Sequence, residues 1–136
     1  MNIKSTWLGK MKFESTDAEG HKVAMDAKES VGGENSAPGP KELVLSGLAG
    51  CTGMDVISLL KKMRAMPDSL RMEVEAEQTE EHPITFKKVH LKYFVMGDVP
   101  EDKLKKAIEL SQERYCGVSA MMRKAVELTY EYIYEE

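Results

Sequence analysis

Alternating apolar and polar positions predict five β-strands, which lie on either side of a long apolar segment. In each strand the apolar residues recur at every second position, the spacing of a strand with one buried face. The clearest example places Val89, Leu91, Tyr93 and Val95 on a single face. The strands are predicted at residues 2–13, 22–28, 71–79, 84–96 and 126–135, with a reversal at Asp17–Gly20 between the first two.

The apolar segment at residues 41–64 predicts a long helix that follows Pro40, a residue suited to the first turn of a helix. Its apolar residues occupy nearly every face, and a helix that is apolar all round is usually buried all round. Glycines at every third position, Gly47, Gly50 and Gly53, form a strip that another backbone could approach closely. Such a helix is about 36 Å long, more than one chain of this size readily covers. We therefore expect an obligate homodimer.

Two further helices are predicted between the fourth and fifth strands. An amphipathic helix begins near Pro100 and extends to Tyr115, and Cys116–Gly117 interrupts it. A short helix then follows at residues 118–125.

The connection at residues 29–40 is rich in Gly, Pro and Ser and has no periodicity, so it is predicted to be a loop. The segment before it is too short to fold alone, which favours one domain over residues 1–136. The order of strands and helices predicts an α+β fold.

The charge balance of the 136 residues excludes several classes of partner. The net charge is −4 and no Lys/Arg cluster overrides it, so neither nucleic acid nor an anionic membrane surface is an expected partner. Apolar stretches are interrupted by Gly, Ser or charge well before about 18 residues, so no membrane span is expected. Because the first residues carry no apolar signal-peptide core, the expected location is the cytoplasm.

The two cysteines, Cys51 and Cys116, are the candidates for chemistry. Their separation excludes a CxxC redox motif and a zinc motif, and the three histidines are not spaced as ligands, so neither a metal nor a cofactor is expected. In a reducing compartment the pair can be buried hydrophobes, a catalytic pair, or both.

Two motifs resemble the family of osmotically inducible and organic hydroperoxide resistance proteins, the OsmC/Ohr family. The first is P-x-E-L-x-x-x-G-x-x-G-C, from Pro40 to Cys51, and the second is Y-C-G-V-S, around Cys116. The resemblance covers the whole chain. It implies an OsmC-like fold with a buried central helix, and an intertwined homodimer. It also implies a thiol peroxidase in which Cys51 attacks the hydroperoxide and Cys116 resolves the product.

An apolar cavity lined by Leu48, Met54 and Met122 would favour organic hydroperoxides over hydrogen peroxide. The thiolate is the nucleophile of such a reaction, and a nearby second thiol converts the sulfenic acid to a disulfide before it is oxidised further. A dithiol reductant would then restore both thiols.

The charged residues around Cys51 depart from the pattern of Ohr-type peroxidases. Lys41 stands ten residues before Cys51, where those proteins place a carboxylate, and Glu42 is one position nearer. The first arginine is Arg64, so an N-terminal arginine is absent, and the candidates for its charge are Lys10 and Lys12.

Asp55, one helical turn after Cys51, adds a negative charge. If ionised beside the thiol it would oppose catalysis. The other interpretation is a polar group that meets a lysine or a backbone donor.

The leading hypothesis is a cysteine-based redox protein that reduces organic hydroperoxides in oxidative-stress defence through Cys51 and Cys116. The alternative keeps the fold without the peroxidase: the protein would bind a thiol or acyl ligand, or act as a redox sensor. A purely structural dimer module comes third, since such a module needs no buried thiol pair.

Overall fold

The computed structural model describes every residue from Met1 to Glu136 and contains two three-stranded sheets and three α-helices. The predicted mixture of helix and strand is therefore confirmed. The chain divides into two compact units, Met1–Leu45 and Ser46–Glu136, which are described in turn. The single domain over residues 1–136 stays a prediction, which one cooperative unfolding transition would support.

The first unit contains an antiparallel sheet in the order β1-β2-β3. Its strands are β1 (Ile3–Trp7), β2 (Phe13–Asp17) and β3 (Lys22–Met25). The predicted strand at 2–13 is wrong, because the chain already reverses after Trp7. Gly9 and Lys10 adopt positive φ angles of 101° and 48° in this turn, and Trp7 Nε1 donates to the Lys10 carbonyl oxygen at 2.8 Å.

The loop after β3 is organised around the buried carboxylate of Asp26. This carboxylate accepts hydrogen bonds from the backbone N–H groups of Ala27, Glu34 and Ser36, and from the Ser36 hydroxyl at 2.6 Å. These donors stabilise the ionised form and lower the pKa of Asp26 to about 2. A loop predicted from its Gly and Pro content alone thus has a defined structure.

Helix α1 (Pro40–Lys62) is the predicted long helix, ending two residues earlier than expected. Its fully buried residues form one stripe at a spacing of four: Leu48, Thr52, Val56 and Leu60. The expectation that the helix is buried all round is therefore wrong for a single chain. By length and composition α1 could cross a membrane, with a mean hydropathy of 1.7, but a core helix of a soluble protein meets the same criterion.

The second unit is built on a sheet in the order β4-β5-β6. Strands β4 (Ser69–Gln78) and β5 (Phe86–Met96) are antiparallel, whereas β5 and β6 (Glu127–Glu135) are parallel. A parallel pair needs a crossover connection, which here contains α2 (Glu101–Leu110) and α3 (Gly117–Arg123). The predicted apolar face of β5 is confirmed, since Val89, Leu91, Tyr93 and Val95 are at most 1% exposed. They form the core with the buried stripe of α1 and with residues Leu104, Ala107 and Ile108 of α2.

Between α2 and α3 the helix widens into a π-helical turn, Ser111–Tyr115. Such turns are uncommon and are frequently found at functional sites. This turn places Ser111 and Gln112 inside the fold and delivers the chain to Cys116, which caps the next helix.

Candidate functional site

The fold brings the two cysteines together although 64 residues separate them along the chain. The sulfur atoms of Cys51 and Cys116 and a carboxylate oxygen of Asp55 all lie within 4.8 Å of one another. Both thiols are free, with Cys116 buried and Cys51 partly exposed. We call these three residues the thiol–carboxylate cluster.

Two elements of the second unit position the cluster. Cys51 and Asp55 are one turn apart on α1, so their side chains leave the same face of the helix. Cys116 lies at the N-cap of α3, where its backbone N–H donates to the Ser111 carbonyl oxygen at 2.7 Å. The π-helical turn thus fixes the position of one thiol relative to the helix that carries the other.

Hydrogen bonds from α3 reach the sulfur of Cys116. The backbone N–H of Ser119 lies 3.3 Å from this sulfur and the Ser119 hydroxyl lies 3.1 Å from it. Burial nevertheless raises the pKa of Cys116; the Ser119 hydrogen bonds lower it, and the neighbouring Cys51 raises it further. The donors for a thiolate are present, but the buried surroundings favour the neutral thiol.

A chain of buried hydroxyls leads to Asp55. The Thr52 hydroxyl lies 2.6 Å from the Tyr93 hydroxyl and 2.7 Å from the Ser111 hydroxyl, which donates to Asp55 Oδ2 at 2.9 Å. Because the Ser111 proton is committed to the carboxylate, Thr52 must donate to Ser111, and Tyr93 must then donate to Thr52. Burial raises the pKa of Tyr93 to about 12, which keeps its proton available for donation.

Gln112 completes this buried network. Its Nε2 atom donates to Thr52 Oγ1 at 3.1 Å and to the Tyr93 hydroxyl at 2.9 Å. The Arg123 guanidinium in turn donates to the carbonyl and side-chain oxygens of Gln112, each at 2.5 Å. Every polar atom at the centre of the network thus has a partner, which is required for a stable buried polar group.

Three predicted site residues belong to the first unit. Glu42 Oε1 accepts from the Gly39 N–H at 3.2 Å, at the start of α1. Lys10 lies in the turn after β1, with its Nζ atom 3.7 Å from Glu34 Oε2, and Lys12 is partly buried. Roles for Glu42, Lys10 and Lys12 beside the thiols stay predictions.

The three residues predicted to line one cavity share no pocket within the single chain, and a common cavity stays a prediction. Leu48 is fully buried in the core, Met54 is 76% exposed, and Met122 is partly buried on α3. Met54 lines an open groove of about 830 Å³ along α1 and β4, which includes neither Leu48 nor Met122. Apolar residues occur on nearly every face of α1, so the sequence does not show which face packs in the core and which face, with Met54, lines the groove.

Sequence reasoning missed most of the polar partners of the thiols. A lysine or a backbone donor is one predicted partner of Asp55, whereas the structure shows the Ser111 hydroxyl as a donor to its carboxylate. The network could have been inferred from polar residues that lie close to the cysteines in the sequence: Thr52 next to Cys51, and Ser111 and Gln112 shortly before Cys116. Small polar residues on otherwise apolar faces near a functional cysteine favour such an interpretation.

Comparison with known proteins assigns the family. The sequence model of OsmC-like proteins matches residues 33–131. Protein YhfA of Escherichia coli strain K12 is 33% identical over 133 residues, which cover 97% of this chain and 96% of YhfA.

Solved structures share the fold over nearly the whole chain. The crystal structure of a hypothetical protein from Aquifex aeolicus is 28% identical with a TM-score of 0.82, covering 99% of this chain and 97% of that one. The organic hydroperoxide resistance protein OhrB of Bacillus subtilis is 17% identical with a TM-score of 0.69, covering 97% and 96% respectively. The family model and the YhfA relationship together show that the chain belongs to the OsmC-like family, which confirms the resemblance seen in its motifs.

Proposed function

We propose that the protein is a cysteine-based peroxidase that reduces organic hydroperoxides through a thiol–disulfide cycle between Cys51 and Cys116. The observation that carries the proposal is the distance between the two sulfur atoms, which is at most 4.8 Å. A modest movement brings such a pair to the bonding distance of a disulfide, about 2.05 Å. Membership of the OsmC-like family and the fold shared with OhrB support the same function.

The exposure of the two thiols supports the order of the reaction. Cys51 is partly exposed and can meet a peroxide, whereas Cys116 is only 2% exposed. The Cys51 thiolate attacks the distal peroxide oxygen and the O–O bond breaks. The leaving alkoxide takes up the proton that the Cys51 thiol had released, so the products are an alcohol and a sulfenic acid on Cys51. The Cys116 thiol then condenses with this sulfenic acid, giving a disulfide and water. A dithiol reductant then reduces the Cys51–Cys116 disulfide, which regenerates both protein thiols and leaves the reductant as a disulfide.

A homodimer is part of the proposal. Only 22% of the apolar window of α1 is buried in the single chain, and the groove beside it is lined by Met54, Ile57, Met66 and Met72. Apolar surface of this extent is unusual on a soluble monomer and marks an interaction surface. A second copy of the chain would bury it. The reducing conditions of the cytoplasm, our proposed location, fit two free thiols.

A second candidate function follows from the charges of the cluster. The Asp55 carboxylate lies beside both sulfur atoms, and burial raises the pKa of Cys116. The raised pKa of Cys116 opposes a fast resolving step, and the negative charge of Asp55 lies where a thiolate would have to form. These features favour an OsmC-like protein that binds a thiol or acyl ligand, or a slow redox sensor, instead of a peroxidase.

Stopped-flow mixing of the reduced protein with cumene hydroperoxide, and separately with hydrogen peroxide, distinguishes the two. The peroxidase predicts loss of two thiols per chain, faster with the organic peroxide, and repeated turnover with a dithiol. Thiols that survive cumene hydroperoxide would instead favour the ligand-binding protein. Thiols that oxidise only once and slowly would favour the sensor.

A further inference from the structure

We infer that the thiol–carboxylate cluster is a binding site for a thiophilic divalent cation such as Zn²⁺, held by Cys51, Asp55 and Cys116. Three donors of two chemical kinds meet here, and no two of their ligand atoms are more than 4.8 Å apart. This site is independent of the peroxidase proposal, since it needs only the reduced thiols.

The spacing of the donors suits a tetrahedral ion. Zinc binds thiolate sulfur at about 2.3 Å and carboxylate oxygen at about 2.0–2.2 Å, so two sulfur ligands of one tetrahedral zinc lie about 3.8 Å apart. The three donor atoms all lie within 4.8 Å of one another, which is compatible with this spacing. Small side-chain movements therefore bring the three donors to ligand distance.

The groups behind the donors resemble the outer shell of a metal site. Ser111 donates to one oxygen of Asp55 and thereby orients the carboxylate, and the N–H and hydroxyl of Ser119 lie within hydrogen-bond distance of the Cys116 sulfur. Hydrogen bonds of this kind hold ligands in place and stabilise a sulfur anion. The Ser111 hydroxyl is itself held by Thr52, so the outer shell is continuous with the buried core.

Solvent reaches the cluster at Cys51, which is partly exposed, and at Asp55. A small cavity of about 120 Å³ reaches Asp55 and is lined besides by Ser58, Leu59, Lys62 and Tyr115. Three protein ligands leave a fourth position that water or a small ligand can fill. Binding releases the two thiol protons to solvent. The divalent ion and its three anionic ligands together then carry a net charge of −1.

Titration of the reduced protein with Co²⁺, in place of spectroscopically silent Zn²⁺, tests the site. We expect one Co²⁺ per chain, thiolate-to-cobalt charge-transfer absorption in the near ultraviolet, and displacement by Zn²⁺ but not by Mg²⁺. Asp55→Asn should weaken binding about tenfold or more, whereas Asp102→Asn, at an exposed carboxylate on α2, should leave it unchanged. Cys116→Ser should remove about half of the charge-transfer absorption.

The same wild-type chain with its two cysteines oxidised to a disulfide should bind no Co²⁺, and this arm does not depend on the folding of any variant. The inference is wrong if the reduced protein gives no charge-transfer band, or if the oxidised protein binds Co²⁺ equally well. Unchanged affinity in Asp55→Asn would also overturn the three-ligand site. Hydroperoxide turnover plays no part in this readout, so a failed peroxidase proposal leaves the result interpretable.

Discussion

Replacing Thr52 with valine should destabilise the protein more than removing the hydroxyl of its neighbour Tyr93. Valine keeps the shape of threonine but lacks the hydroxyl, which is fully buried and contacts Tyr93, Ser111 and Gln112. Without it, the Tyr93 hydroxyl proton and one Gln112 N–H lose their acceptor. Ser111 keeps Asp55 as its acceptor and is affected less.

The size of the effect follows from the two donors left without a partner. A buried polar group that loses its hydrogen bond costs about 1–3 kcal/mol, so Thr52→Val should lower the free energy of unfolding by about 2–6 kcal/mol. Tyr93→Phe leaves only one Gln112 N–H unpaired, because Thr52 still donates to Ser111, and should cost about 1–3 kcal/mol. The two changes share contacts, so the double variant should cost less than their sum.

Chemical denaturation of the reduced protein measures these differences, with Thr52→Ser as the control that keeps the hydroxyl. The network also joins α1 to the turn before Cys116, so Thr52→Val should slow disulfide formation while Thr52→Ser preserves it. A loss below about 1 kcal/mol in Thr52→Val, or a larger loss in Tyr93→Phe, would refute the assigned direction of the hydrogen bonds.

Three further predictions concern other parts of the chain. The pKa of Asp26 is depressed from its usual 3.8 to about 2, so its contribution to stability is present above pH 4 and is lost as the pH falls towards 2. The protection of the Ser36 amide against exchange, relative to the unfolded chain at the same pH, should therefore fall over this range, and Asp26→Asn should remove this pH dependence. If Lys10 or Lys12 supplies the positive charge beside the thiol, replacing both with methionine should slow peroxide reduction about tenfold, which corresponds to about 1.4 kcal/mol of activation free energy. An unchanged rate would exclude both lysines from this role. Sedimentation of the wild-type protein should give the mass of a dimer at micromolar concentration, and a mass near 15 kDa would contradict the homodimer. Met54 lies on the exposed face of α1, so Met54→Glu should shift the equilibrium from dimer towards monomer.

The strands and helices of the second unit could be predicted because their patterns are regular. The alternation at Val89, Leu91, Tyr93 and Val95 gives the buried face of β5 directly, since only one face of the strand contacts the core. The first hairpin was missed because the turn depends on the backbone of Gly9 and Lys10, not on hydrophobicity. A lysine at positive φ gives little signal in a sequence pattern.

The site could be predicted only in part, for a related reason. Cys51 and Cys116 are recognisable from the residues around them, but their proximity to Asp55 depends on the crossover between β5 and β6. Ser111 enters the site because a π-helical turn follows α2, and the helical period alone does not predict such a turn. Contacts between residues far apart in sequence are therefore where sequence reasoning failed.

Trapping the first oxidation product shows whether Cys51 attacks the hydroperoxide and Cys116 resolves it. Cys116→Ser is mixed with one equivalent of cumene hydroperoxide and dimedone, and the adduct is located by mass spectrometry. We expect a dimedone adduct on Cys51 in this variant, a Cys51–Cys116 disulfide in the wild type, and no peroxide consumption by Cys51→Ser. Rapid peroxide consumption by Cys51→Ser, with the adduct on Cys116, would instead make Cys116 the attacking thiol.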